Sequence, residues 1–411
     1  MSADVVAELR DQLQRHPADR HPLQHATAQF HLGAVLLGDG ELAGAEAAFA
    51  EAAALFGVRG AHPEQAKALN GLGATLRTAG RPGVAVRAFT HAAAGFVTAG
   101  LPLEEGAARC NLGVALREDG RAPEGAAELA RSVALLDPAQ VPAQAAAAAR
   151  EHGLTLLELG DLDAAEPVLV QAVELADRAG DEAARAAAGN ALGLTRLSAG
   201  RHAVAAEAFA MAAGASPRAA RPDAFAMAKA NLALACEQIG EAPRARLAAR
   251  QALAIKASPA PVRAQAASVL ERLGRAGDDL RKVLETEPSD QERARIVREE
   301  LLRAAEVPEA DLVEDMRPWV EAHTGSDELE PVAVAELWLG GLLELPPDVL
   351  ERVARGAVAA SLAPEWDDEA RETFRVAVTR AMARFHVPQM MRLQDVFATA
   401  AQDAGDPSPW R

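Results

Sequence analysis

Apolar residues return at helical intervals along most of the chain, first as Ala45, Phe49, Ala52 and Leu55-Phe56, then as Ala85, Phe89, Ala92 and Phe96. Steps of three and four residues place such positions on one face of a helix. The rhythm comes back as Ala165, Leu169, Ala172 and Leu175, and again as Ala205, Phe209 and Ala212. A Leu-Gly pair recurs about every forty residues, at Leu32-Gly33, Leu72-Gly73, Leu112-Gly113 and Leu192-Gly193. His152-Gly153 fills the missing slot and Leu232-Ala233 supplies a sixth, with Ala keeping the small side chain. Seven residues after each pair stands a second glycine, at 40, 80, 120, 160, 200 and 240, where a helix must end and turn back. Each period therefore reads as two antiparallel helices, with small residues at the close crossing and large ones beside it. Polar loops such as Ala179-Gly180-Asp181-Glu182 separate the units.

The forty-residue rhythm stops near residue 286. Leu273-Gly274 fits only a shortened seventh unit with Asp279 in a slot meant for Ala, which suggests a degenerate cap. Beyond it Thr286-Glu287-Pro288-Ser289-Asp290 reads as a turn with an N-cap, and prolines at 308, 331, 346, 347, 364 and 388 divide the rest of the chain into helices of ordinary length. All four tryptophans, Trp319, Trp338, Trp366 and Trp410, fall in this part. Its core chemistry therefore differs from that of the repeats. Trp366, Ala370, Phe374, Ala377, Ala381 and Phe385 form a one-sided stripe that packs inside a small helical domain or, alternatively, offers a docking or dimerisation face. The terminal stretch from Asp403 to Arg411 is expected to fray.

Asn111-Leu112-Gly113 followed by Gly120, in register with the other units, resembles the tetratricopeptide repeat in its forty-residue variant. The resemblance covers roughly residues 20–285. It departs from the family pattern in two ways: the aromatic positions of the first helix hold mostly Ala, Leu or Val, and the third unit has Gly125 and Ser132 where Ala is expected. It implies a right-handed superhelical α-solenoid of six units and a degenerate seventh over 20–285; the residues themselves add an N-terminal helix over 1–19 and an acidic, tryptophan-containing helical domain over 286–411, so the whole chain is expected to be all-α. It also implies that the first helix of each unit lines a concave groove. By register the groove residues are His31, Lys67, Asn70, Arg77, Asn111, Arg117, Arg150, Asn190 and Asn231, with Phe30, Cys110, Glu151 and Glu237 beside them. Amides bond a peptide backbone in both directions and guanidinium groups grip carboxylates, so the expected ligand is an extended or acidic segment of another protein. Arg77 and Arg117 also sit near helix ends, where complementing the helix dipole is reason enough for an arginine.

Charge narrows the partners. The 411 residues carry 42 basic and 59 acidic side chains, a formal net charge of −17, which opposes general binding to a phosphate backbone. From Glu287 onward there are about 26 acids and 13 bases, so most of the imbalance lies in the tail. Cys110 and Cys236 are too far apart in sequence for a zinc ribbon or redox pair, and the acidic start of the chain lacks a secretory pattern, which together suggest a cytoplasmic protein. No apolar run is long enough to suggest a membrane span. Walker, His-Glu-x-x-His, Gly-x-Ser-x-Gly and Cys-x-x-Cys motifs are missing, and Gly71-Leu72-Gly73 lies in a helix with no strand before it. His21 and His25 have a metal-compatible spacing, but Pro22 places His21 at a helix boundary and solvated histidines explain the cluster. No catalytic residue, metal or cofactor is expected. The reading is an interaction scaffold; the alternatives are a peptide- or effector-sensing regulator, or an enzyme with its site in the tail or groove.

Overall fold

The computed structural model describes residues 2–274, 279–324, 330–406 and 408–410. Among these, twenty-one helices and no strand are found, an all-α solenoid. The chain falls into two compact units, Met1–Ser216 and Pro217–Arg411.

The first unit opens with α1 (Ser2–Arg15) and continues as five helix pairs, α2 (Pro22–Gly38) with α3 (Leu42–Val58), α4 (His62–Thr78) with α5 (Pro82–Ala99), α6 (Pro102–Glu118) with α7 (Ala122–Leu135), α8 (Pro142–Glu158) with α9 (Leu162–Arg178), and α10 (Glu182–Ser198) with α11 (His202–Gly214). The turn glycines at 40, 80, 120, 160 and 200 all have φ between 65° and 80°, as do Gly60, Gly100 and Gly180 between pairs. Only glycine adopts that backbone without a steric penalty. Where a between-pair glycine is absent, a turn starting at Pro17 or at Asp137-Pro138 takes its place, and Asp137 Oδ1 accepts a bond from the Ala139 amide at 2.9 Å.

Size complementarity closes each pair. A Cβ on Gly33 would lie 2.9 Å from the Phe49 ring, on Gly73 2.6 Å from Phe89, on Gly153 2.4 Å from Leu169, and on Gly193 2.5 Å from Phe209. Each large residue stands sixteen positions after its glycine and is buried, a burial that contributes roughly 1.5–3 kcal/mol per side chain. The third pair departs from the pattern for a structural reason. A Cβ on Gly125 would come 2.7 Å from the Gly113 carbonyl, so α6 and α7 approach backbone to backbone. Ser132, buried, donates to the Gly106 carbonyl at 2.7 Å. Leu9 occupies in α1 the register of Phe49 and packs with Leu32 and Leu36. The first helix thus serves as the outer helix to α2.

The second unit begins with the sixth pair, α12 (Pro222–Gln238) and α13 (Ala242–Leu253). Here Ala233 stands in the glycine's place and the residue sixteen positions on is Ala249 instead of Phe or Leu, both buried, so a gain of size on one helix is offset by a loss on the other. α14 (Ala260–Leu273) stops at Gly274, φ 69°, and is followed by the short α15 (Asp279–Thr286). Asp279, out of place in the repeat pattern, is fully buried and accepts from Arg246 Nη2 and Arg250 Nη1, each at 2.7 Å. Then come α16 (Asp290–Ala304), α17 (Glu309–His323), α18 (Pro331–Leu343), α19 (Pro347–Ser361), α20 (Asp368–Met382) and α21 (Val387–Ala404). In this part each helix packs chiefly on the one two places along, giving one row of α15, α17, α19 and α21 and another of α16, α18 and α20.

The sequence boundary near residue 286 and the division at Ser216 differ because the sixth pair is tied to later helices by charge. Lys229 Nζ meets Glu299 at 2.5 Å, Gln251 donates to Glu300 at 2.8 Å, Arg218 meets Glu306 at 2.5 Å, and Leu247 joins the large apolar core. Aromatic rings fill that core. Trp338 touches Trp319, His323, Phe374 and Phe397 with centroids 5.5–6.0 Å apart. Phe374, Ala377 and Ala381 of the expected stripe are buried in it, and Trp366 and Phe385 pack on its edge, so the stripe is covered by its own unit. The expected fraying of the terminus is corrected at Trp410. This residue is buried against Phe374 and Phe397, its indole N–H donates to Asp406 at 2.8 Å, and Arg375 donates to the Pro409 carbonyl at 2.7 Å. Met1, Pro407 and Arg411 lie outside the described residues.

Candidate binding face of the repeats

In every pair of the first unit, the first helix buries the side carrying its crossing glycine, at 33, 73, 113, 153 or 193, and leaves partly open a stripe at spacings of three and four. On α4 the stripe runs through Lys67, Asn70, Ala74, Arg77 and Thr78, and on α10 through Ala187, Asn190, Leu194, Leu197 and Ser198. Neighbouring first helices are in contact from α2 through α4, α6 and α8 to α10, so the stripes form one continuous face.

Most of the expected residues lie on this face. His31 is exposed, with its ring 5.5 Å from Phe30, and Lys67 is also exposed. Asn111 Nδ2 donates to Asn70 Oδ1 at 3.1 Å, linking two helices. Asn190 is partly buried. Asn231 stands apart from the rest, buried on α12 in the second unit, where it accepts from Gln265 at 2.9 Å.

The arginines do something the sequence did not reveal. Arg77 donates to Glu118 of the next first helix at 2.9 Å. Arg117 donates to Glu151 at 2.9 Å and to the Thr155 hydroxyl at 3.2 Å on the helix after that. Arg150 takes the other oxygen of Glu151 at 2.6 Å. Arg77 and Arg117 therefore act first as ties between repeats, Arg150 braces Glu151 from within α8, and a carboxylate ligand would have to displace an internal one. Their partners lie at intervals of 41 and 34 residues, a signal readable only once the forty-residue register is laid out as columns.

Other groups on the face are chemically quiet. Burial pushes the Cys110 thiol up to about 11, helped by Glu151, so it is not a thiolate at neutral pH. Burial lowers the His152 pKa, favouring the neutral ring. The His21 and His25 spacing is used otherwise: His25 reaches the His16 carbonyl at 2.8 Å and Glu51 at 3.2 Å, and His21 packs edge-on to His16. Among the described residues no group of three His, Cys, Asp or Glu side chains could hold a metal ion. Among them, too, no helix is long and apolar enough to cross a membrane.

The family comparison agrees with the interlocked pairs. A tetratricopeptide repeat family model matches residues 24–96, spanning the first two pairs, and a second one matches residues 151–178. The chain carries tetratricopeptide repeats. No curated protein matches it in sequence. Among solved structures it is similar to the P58(IPK) TPR domain, at 17% identity over 87% of this chain and 98% of that one, with a TM-score of 0.25. It is also similar to Naa15/Naa10 bound to HypK-THB, at 15% identity over 98% and 73% of the two chains and a TM-score of 0.26. A circular tandem repeat protein gives 12% identity over 98% and 89%, with a TM-score of 0.22.

Proposed function

We propose that the chain is a non-enzymatic, cytoplasmic interaction scaffold whose tetratricopeptide repeats hold an extended segment of another protein along the first-helix face. The observation that carries this reading is the continuity of that face: five stripes in contact, each partly open, with amides at Asn70, Asn111 and Asn190 able to bond a backbone. The region from 286 to 411 is proposed as a cap or a second docking unit. A groove of about 840 Å³ between α16 and α18 has charged walls whose side chains are paired with one another, as Arg298 is with Glu344 and Arg295 with Glu292. That favours a structural or docking role over acid–base chemistry.

A photo-crosslinking residue placed at Ala74, on the stripe, or at Arg87, exposed on α5, tests the reading in native lysate. Crosslinking to a protein from position 74 but not from 87 is the expected result. Equal crosslinking from both positions, or from neither, counts against it.

A further inference from the structure

Laying the first-helix stripes in register exposes a change along the face. One column reads Ala34, Ala74, Val114, Leu154, Leu194, and the next reads Leu37, Arg77, Arg117, Leu157, Leu197. Between α4, α6 and α8 the second column supplies the arginine ties to Glu118 and Glu151. Between α8 and α10 both columns are leucine, and all four leucines remain partly open. An apolar cluster at the inner side of a repeat array is the kind of surface on which a partner's side chain gains by leaving water.

Charge selects what else the occupant carries. Arg77, Arg117 and Arg150 are already matched to Glu118 and Glu151. Glu158, one residue past Leu157, is 58% exposed and only 3.9 Å from Arg117 Nε, the loosest of these pairings. An acidic segment would therefore have to break an existing pair and approach a unit in which residues 1–216 carry 26 acids against 17 bases, whereas a basic one gains a carboxylate and is steered by the same field.

We propose that the first unit takes an extended segment of another protein in which one or two bulky aliphatic side chains seat on Leu154, Leu157, Leu194 and Leu197, with an adjacent lysine or arginine facing Glu158. This rests on the scaffold reading and replaces the acidic ligand expected from sequence with a basic, aliphatic one. The amides farther along the face bond the backbone and leave side-chain choice to the leucine cluster.

The probe is a library of phage-displayed random twelve-residue peptides panned on the immobilised full-length chain, with selected peptides then synthesised, labelled and titrated by fluorescence anisotropy. Expected sequences pair aliphatic residues with Lys or Arg. Losing one seated aliphatic contact is worth about tenfold in affinity, the drop expected for Leu194→Gln/Leu197→Gln. Glu158→Lys is expected to weaken binding similarly, while Arg87→Gln, exposed on α5 away from the stripes, leaves it within about twofold. Helicity by circular dichroism must match the wild type. If the leucine variant loses helix, Glu158→Lys, at an exposed site, decides alone. Acidic winners whose binding disappears with Arg77→Gln/Arg117→Gln but survives the leucine and Glu158 changes would overturn this inference while leaving the scaffold reading standing. Winners that bind every variant alike overturn both, and so does a panning that enriches nothing above the bare support.

Discussion

Both units are built of helices yet use side-chain size in opposite ways. In the first, each pair sets one glycine against one Phe or Leu, and the same contact is repeated at forty-residue intervals, so every layer holds itself and its neighbours. In the second, one core gathers Trp319, Trp338, Phe374 and Phe397 from four helices and Trp410 from the terminal segment. The repeat strategy keeps its buried surface local and leaves the first-helix stripes partly open. The aromatic strategy closes its apolar stripe on itself. A binding face is therefore more readily built on the first unit, where each added layer extends it, than on the second.

Because all four tryptophans lie in the second unit and the chain has no tyrosine, tryptophan fluorescence reports that unit while far-ultraviolet circular dichroism reports both. The largest effect is expected from Trp338→Ala, which removes a fully buried ring from contact with four others and should cost about 3–5 kcal/mol. The fluorescence transition of the remaining tryptophans should fall in temperature while a repeat-derived dichroism transition persists; a single transition that moves as one would break the contrast between the units.

Acid is expected to act on the second unit with an intermediate effect. His323 is fully buried, gives its Nδ1 to the Trp319 carbonyl at 2.5 Å, and is held by burial at a pKa of about 4, against an ordinary value near 6.5. The unfolded chain thus binds the proton more readily. Its stabilising contribution is complete above about pH 6.5 and is lost as the pH falls toward 4, up to about 3 kcal/mol. His323→Phe should flatten the difference in fluorescence-detected stability between pH 7 and pH 4.5; an unchanged slope would show that the ring is not the titrating group.

A smaller and opposite readout is expected from Gly113→Ala. The added methyl meets Leu129 Cγ at 2.5 Å and the Gly125 carbonyl at 2.8 Å, an overpacking that costs about 1–3 kcal/mol. The dichroism transition should fall while tryptophan fluorescence stays put. Equal loss in both signals would contradict the local character of the repeat contact.

How much of this was legible beforehand depends on whether the contact is local. The paired glycines at 33 and 40 and the large residue at 49 belong to one short stretch of chain, so periodicity alone exposed the helix pairs and their interlock. Lys229 with Glu299 and Phe374 with Trp410 join residues seventy and thirty-six positions apart with no repeating interval, so the reach of the second core to the sixth pair and to the terminus was not readable. The groove arginines lie at partly open positions of the first helices, but the engagement of Arg77 and Arg117 by Glu118 and Glu151 depends on which neighbouring helix each side chain reaches.

Hydrogen–deuterium exchange of the full-length chain, with and without a peptide selected by panning, tests the binding face most directly. Added protection in α4, α6, α8 and α10, with α5, α7 and α9 unchanged, is the result this account predicts. Protection confined to the second unit, or spread equally over the outer helices, would contradict it.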